Sequence, residues 1–230
     1  MLPYVTIGTF QVSTYWAMYG VGLGSMLWLV LRRRKRYALS AGKGVAFFLF
    51  LAVLGTVGAK LLAILEGWIP LVLFGEGKSA GFSYFGAVFL IFLLIGPLGR
   101  LLGLTAGDSR DLAAPCGPAQ VAFMRLGCFL NGCCGGWVTS WGFRWPTQAM
   151  ESVGDFAILS WLLTVEDRGG RGLYPRFLVS YGAMRFCIEF LRDTEKAYLR
   201  LSDGQWCALA AVLIGAWALQ RGRRRIRAAK

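Results

Sequence analysis

Three stretches of this chain place charged or polar side chains inside runs that are otherwise apolar. The first is AFMRLGCFLNGCCGG, residues 122–136, where Arg125 stands with no acid nearby in sequence. A guanidinium at membrane depth is costly, so its presence calls for a reason. One reading pairs it with a distant carboxylate such as Glu189, or lets it snorkel to an interface. The other presents it to an anionic lipid headgroup, whose phosphate it can grip with two parallel hydrogen bonds. Gly127, Gly132, Gly135 and Gly136 argue against a regular helix from about residue 131 onward. Non-helical backbone at that depth is tolerated only where it lines a protein-walled or watery cavity.

The second stretch is SYGAMRFCIEFLRD, residues 180–193. Tyr181, Arg185 and Glu189 follow one another at helical spacing and Arg192 lies three further on, so all four share a face. Arg185 and Glu189 then either satisfy each other, or Glu189 orients Arg185 toward a substrate. The third is RWPTQAMESVGD, residues 144–155. Pro146 and Thr147 mark a helix start, with Thr147 a candidate N-cap. Gln148, Glu151, Ser152 and Asp155 continue it as a polar stripe. Cys128, Cys133 and Cys134 invite a metal or redox reading. With no histidine in the chain and no second CxxC, they read better as small packing residues, and no metal or cofactor is expected.

These groups need elements to hold them, and composition says which. Of 230 residues, 56% are apolar and 16% charged, with a mean hydropathy of +0.54, which leaves too little polar surface for a water-soluble domain. Apolar runs near the length of a bilayer-spanning helix occur at about 15–31, 44–65, 82–98, 112–137, 149–165, 173–191 and 205–220. The expectation is an all-α membrane protein of seven spans, a single transmembrane domain over 1–230 with a basic tail at 221–230. Gly20, Gly22 and Gly24 suit close helix packing rather than a phosphate loop, since no strand is expected before them and their register is wrong.

The net charge of +13 is topogenic rather than a nucleic-acid footprint. Eleven of the 25 Lys and Arg residues lie in the runs 32–36 and 221–230, each directly after an apolar segment. With the N-terminus outside, the inner segments hold sixteen basic residues and the outer segments five: Lys78, Arg144, Arg192, Lys196 and Arg200. That asymmetry predicts an outer N-terminus and a cytoplasmic C-terminus.

At these motifs the chain resembles the bacterial prolipoprotein diacylglyceryl transferase family. RLGCFLNGCCGG is similar to the family's RxGNFxNGExxG motif, keeping Arg125, Gly127, Phe129, Asn131, Gly132 and Gly136. WPTQAMES resembles HPSQLYE through Pro146, Thr147, Gln148 and Glu151, and YGAMRFCIEFLRD resembles YGxxRFxxEFxR through Tyr181, Gly182, Arg185, Glu189 and Arg192. IGTFQVSTYWAMYGVG places Tyr15 where the family has a functional tyrosine, and DGQW matches a GQ element at Gly204 and Gln205. The resemblance implies an enzyme of the bacterial inner membrane that moves a diacylglyceryl group from phosphatidylglycerol to a lipoprotein lipobox cysteine, without a cofactor. It implies catalytic roles for Arg125, Arg185, Tyr15 and Asn131. It implies substrate-binding roles for Arg125, Gly136, Gln148, Glu151, Tyr181, Glu189 and Arg192. The implied partners are phosphatidylglycerol, the prolipoprotein and membrane lipids, with no nucleic acid.

The departures are chemical. Phe85 stands in place of the histidine of the family's FHGG motif, and Trp145 in place of a second histidine. Cys128 and Cys133 replace an asparagine and a glutamate, and Lys60 stands near a usual arginine. For the general base only Glu151, Glu189, Tyr15 or Tyr84 is left, unless the acceptor thiol ionises unaided in the field of the arginines. A lipid-binding relative without catalysis, or a transferase with another acceptor, fits the same residues.

Overall fold

The computed structural model describes residues 3–7, 10–74, 83–194 and 199–228. Lys78 and Lys196, two of the five basic residues assigned to outer segments, lie outside the described residues, as do the last two residues of the basic tail. The chain is predominantly helical and groups into two compact units, Met1–Leu29 with Ala114–Lys230, and Val30–Ala113.

The second unit is built on two long helices. α1 (Thr14–Arg33) enters it from the first unit, and a single 3-10 turn (Arg34–Tyr37) leads to α2 (Ala41–Phe74). α3 (Tyr84–Leu101) lies against α2 at a glycine crossing, where a Cβ on Gly58 would strike the Gly86 carbonyl and a Cβ on Gly86 the Gly58 carbonyl. Only backbone on both sides permits that approach. The short α4 (Ala106–Ala113) begins where Thr105 caps the Asp108 amide at 3.1 Å. At its other end Arg33 donates to the Leu112 and Asp111 carbonyls at 2.7 and 2.9 Å. The last turn of a helix ordinarily leaves carbonyls over, and the arginine donates to two of them.

Hydrophobicity does not distinguish the inside of α2 from its outside. Phe47, Leu51, Leu54 and Ala63 are buried, yet Val45, Leu49, Val53, Val57, Leu61 and Ile64 stand exposed along the opposite face. A helix apolar all round is at home in hydrocarbon and not in water. By length and hydropathy, three helical segments qualify as spans among the described residues: Thr14–Tyr37, Ala41–Gly67 and Tyr84–Leu101.

The first unit opens with a two-stranded antiparallel hairpin, β1 (Tyr4–Ile7) and β2 (Phe10–Ser13), which the all-α expectation omitted. β2 runs directly into α1, so a strand does precede Gly20, Gly22 and Gly24. All three glycines nevertheless lie deep within the helix, too far from its N-terminus to cradle a phosphate. Four helices follow: α5 (Cys116–Asn131), α6 (Thr147–Asp167), α7 (Leu173–Glu189) and α8 (Asp203–Ala228). The apolar run expected at about 112–137 is therefore shorter as a helix. It starts after Pro115 and stops at Gly132, which takes a left-handed conformation (φ 78°) that ends α5.

α5 and α6 are tied deep in the unit by Ser152, whose hydroxyl donates to the Ala122 carbonyl at 2.9 Å. Thr147 is the first residue of α6 rather than its cap. Its hydroxyl donates to the Cys134 carbonyl at 3.3 Å and so fastens the α5–α6 loop instead of an amide of its own helix.

Candidate functional site

Three arginines from three places in the sequence converge on one glutamate. Glu151, fully buried in the second turn of α6, faces Arg125 Nε of α5 at 2.6 Å and Arg185 of α7 at 2.8 Å. Arg192, just past the end of α7, reaches the same carboxylate at 3.2 Å. Glu189 closes the cluster, with Arg185 at 2.7 Å and Arg192 at 3.4 Å. Arg125 thus pairs with Glu151, and not with Glu189 as one reading of the sequence suggested. The Arg185–Glu189 pair expected from helical spacing is present, but Arg185 also bridges to α6.

In the direct ion pairs three guanidiniums meet two carboxylates, an excess of one positive group, with Asp155 a turn away and outside those pairs. Bringing an ion into a low-dielectric interior costs several kcal/mol unless its partners compensate. Glu151 and Glu189 compensate two of the three arginines. The remaining charge suits an anion, and a phosphate is the group to which guanidinium geometry is best matched.

Glu189 is itself held from outside α7. Ser202 and Thr194 hydroxyls each donate to its Oε1 at 3.0 Å. Ser202 is positioned by Gln205, whose Oε1 accepts from the Ser202 amide at 3.0 Å, while the Gln205 amide donates back to the Ser202 hydroxyl at 3.2 Å. Gly204 lies against the carboxylate, with a Cβ there only 3.2 Å from Glu189 Oε1. Gly204 and Gln205 therefore have a physical purpose, which is to seat Ser202 and Glu189. Sequence reasoning missed Ser202 and Thr194. The polar LSDGQ segment just before an apolar span was the available signal.

The loop between α5 and α6 folds over this cluster as backbone. The Gly136 amide donates to the Trp145 carbonyl at 2.9 Å, and the Trp137 amide to the Leu191 carbonyl at 3.1 Å. Gly136 pairs with Arg192 as an isolated bridge, and Val138 with Arg144. A Cβ at Gly136 would run into the Leu191 carbonyl and come within 2.7 Å of Trp145 Cβ, so only glycine fits. Gln148 donates to the Cys133 carbonyl at 2.6 Å, and the Arg192 guanidinium lies 3.5 Å from the Cys134 carbonyl. Gln148 thereby holds the loop, and Arg192 belongs to the loop as well as to the ion cluster.

The remaining expected residues fall at different distances from the cluster. Tyr181 is buried on the α7 face that carries Arg185 and Glu189. Tyr15, in the first turn of α1, backs onto α5 at Gly127, where a Cβ would lie 3.2 Å from Tyr15 Cα, and sits within electrostatic reach of Arg125. Asn131 is exposed at the end of α5 and takes no part in the ion cluster. Asp155 is completely buried one helical turn beyond Glu151. Phe85 and Tyr84 on α3, and Lys60 on α2, belong to the other unit.

Beside Arg125 the structure also gathers three thiols. The Cys128, Cys133 and Cys134 sulfurs all lie within 4.8 Å of one another. The Cys134 thiol, on the loop, is brought down to about 5, chiefly by the hydrogen bond from Cys128. The Arg125 and Arg192 charges assist, against a desolvation that acts the other way.

The family described as Prolipoprotein diacylglyceryl transferase matches residues 3–221. A phosphatidylglycerol--prolipoprotein diacylglyceryl transferase of Pseudomonas paraeruginosa is 30% identical over 249 residues, covering 94% of this chain and 93% of its own. Proteins of the same name from Cupriavidus metallidurans and Nitratidesulfovibrio vulgaris are 28% and 29% identical, each covering 95% of this chain and 93% of their own. With a family match over nearly its whole length and a relative 30% identical over 94% of the chain, the chain belongs to the prolipoprotein diacylglyceryl transferase family.

Proposed function

We propose that this protein transfers a diacylglyceryl group from phosphatidylglycerol to the thiol of a lipoprotein cysteine. The observation that carries the reading is the buried cluster of Arg125, Arg185 and Arg192 around Glu151 and Glu189, with its one uncompensated positive charge. We further propose that α1, α2, α3, α5, α6, α7 and α8 are seven spans of a bacterial inner-membrane protein, with the N-terminus outside and the C-terminus cytoplasmic.

In this reaction the thiolate sulfur attacks the glycerol carbon that bears the phosphate ester. A carbon–sulfur bond forms and the carbon–oxygen bond breaks. The bonding pair leaves with glycerol phosphate, and the thiol proton passes to water or to a base. Charge therefore builds on the departing phosphate. Arg125 and Arg185 stabilise it as preorganised cations in a low-dielectric site, where such groups count for most. Glu151 and Glu189 aim the guanidiniums, and Gln148 and Gly136 hold the covering loop in place. Tyr15, Tyr181 and Asn131 are proposed to position the lipid headgroup, and Arg192 to receive it near the mouth.

The test is transfer from labelled phosphatidylglycerol to a lipobox peptide by the purified chain in lipid nanodiscs. Labelled peptide is expected with a cysteine acceptor and not with its serine counterpart. A second reading, a lipid-binding relative without catalysis, is favoured by the complete lack of histidine. Saturable phosphatidylglycerol binding with no labelled peptide would establish it in place of the first.

A further inference from the structure

The three thiols of the α5–α6 turn are not arranged as packing residues. Cys128 is buried in the last turns of α5, but Cys133 is half-buried and Cys134 exposed, and all three are free. In a continuous helix, residues five and six positions beyond Cys128 would not share one point in space with it. Here Gly132 turns the chain, the Cys133 amide closes back on the Cys128 carbonyl at 3.1 Å, and Cys134 takes the left-handed region (φ 63°). That conformation is disfavoured for any residue with a side chain. It is maintained by Gln148 and Thr147, which hold the Cys133 and Cys134 carbonyls.

We propose that Cys128, Cys133 and Cys134 form a three-thiolate site for zinc(II), whose open fourth position receives the thiol of the acceptor. Zinc–sulfur bonds of about 2.3 Å in a tetrahedron place the sulfurs about 3.8 Å apart. The three sulfurs, already within 4.8 Å of one another, need to close by at most about 1 Å, a side-chain adjustment with no change of backbone. Three thiolates on a divalent ion leave one negative charge. Arg192 lies against the Cys134 carbonyl and Arg125 is one turn before Cys128, so two guanidiniums stand close to the thiolates. The exposed side at Cys134 leaves the fourth position open, which is the arrangement of a reactive zinc site rather than a closed structural one.

The acceptor role rests on the transferase reading, and it supplies what a chain without histidine lacks. A thiol bound to zinc gives its proton to water and remains a thiolate. Its sulfur attacks the glycerol carbon, the carbon–oxygen bond breaks, and the electron pair leaves with glycerol phosphate toward the arginines. The thioether so formed has no charge, binds zinc weakly and departs.

The test uses the full chain in nanodiscs, reduced and loaded with zinc, and in parallel with cobalt(II) as a coloured stand-in. Expected are one zinc retained per chain and an intense thiolate-to-cobalt absorption. That absorption should be lost in Cys128→Ser, Cys133→Ser and Cys134→Ser and kept in Cys187→Ser, which lies outside the cluster. Zinc should also shield these three cysteines from maleimide in the unaltered protein, a measurement that needs no variant. A lipobox cysteine peptide should shift the cobalt spectrum, and the serine peptide should leave it unchanged. Failure to retain zinc, preference for copper(I) over zinc, a disulfide among the three cysteines in the freshly isolated protein, or a spectrum that survives any of the three substitutions would overturn the site. Full transfer activity after chelation overturns the acceptor role and leaves the transferase reading standing. A peptide-sensitive cobalt spectrum without any transfer supports the site and sinks the transferase reading instead.

Discussion

Glu151→Gln keeps the shape of the side chain and removes its charge, so it isolates what the central carboxylate does. The ion cluster goes from three positive and two negative groups to three and one. Arg185 and Arg192 retain Glu189, but Arg125 loses its carboxylate partner at 2.6 Å. Removing one member of a buried pair costs about 3–5 kcal/mol, because it strands a charge without its counter-ion. At about 2–4 °C per kcal/mol for a chain of this size, the melting temperature should fall by roughly 6–20 °C. Fluorescence-monitored unfolding in neutral detergent reads this directly. Added phosphatidylglycerol should narrow the gap, since its phosphate provides the charge that the substitution removed, whereas a zwitterionic lipid should not. Combining the change with Arg125→Met should cost less than the two single changes summed, by about 1–3 kcal/mol of coupling. A Glu151→Gln protein that melts within a degree or two of the unaltered one would refute the central role given to the cluster. A gap that phosphatidylglycerol leaves unchanged would refute the claim that its surplus charge meets a lipid phosphate.

Four further outcomes are expected. Arg125→Ala should abolish phosphatidylglycerol binding while the protein still inserts, and Arg125→Lys should restore it only in part, because an ammonium cannot reproduce the planar fork; isothermal titration with lipid nanodiscs decides. Gly136→Ala should lower stability by about 1–3 kcal/mol, measured by thermal unfolding, because its methyl group must displace Leu191 or Trp145. In chelator-treated protein the Cys134 thiol should react with iodoacetamide nearly as fast at pH 6 as at pH 8 and slow as pH falls through about 5. A folded-state value below that of an unfolded thiol, about 8.5, also means that this thiolate adds stability above that pH and loses its contribution as pH drops toward 5. Reporter fusions after Arg36 and after Lys230 should both read cytoplasmic, and a periplasmic signal from either would overturn the proposed topology.

What could be read from sequence was what local spacing determines. The Arg185–Glu189 pair follows from four residues of helix, and the end of α5 from glycines that no helix of its kind retains. The polar stripe of α6 is likewise present, with Gln148, Glu151, Ser152 and Asp155 all buried. The partner of Arg125 was not legible, because it lies 26 positions away on another helix, and either glutamate satisfied the chemistry on paper. The gathering of the three cysteines was hidden for a related reason. It depends on two backbone choices either side of Cys133, a left-handed Gly132 and a left-handed Cys134, and the second runs against the ordinary preference of the residue. Thr147 misled because a threonine after proline at a helix start has two uses for its hydroxyl, and the tertiary fold chose the loop carbonyl.

Length and buried charge together explain why so few of the helices qualify as spans: α5, at 16 residues, and α7, at 17, fall short by length alone. α2 and α3 carry no carboxylate in their described spans except Glu66 near one end, and they expose aliphatic side chains outward. α6 is long enough to span, but it buries Glu151 and Asp155 in its interior face, and each such residue lowers its mean hydropathy although Val153 and Trp161 stand exposed on its outside. Arg125, Glu151, Arg185 and Glu189 are paired across the unit, α5 to α6, α6 to α7, and α7 to the segment before α8. An average over a window cannot see that pairing, since it counts a buried Arg–Glu bridge as two penalties when the pair is largely neutral to its surroundings.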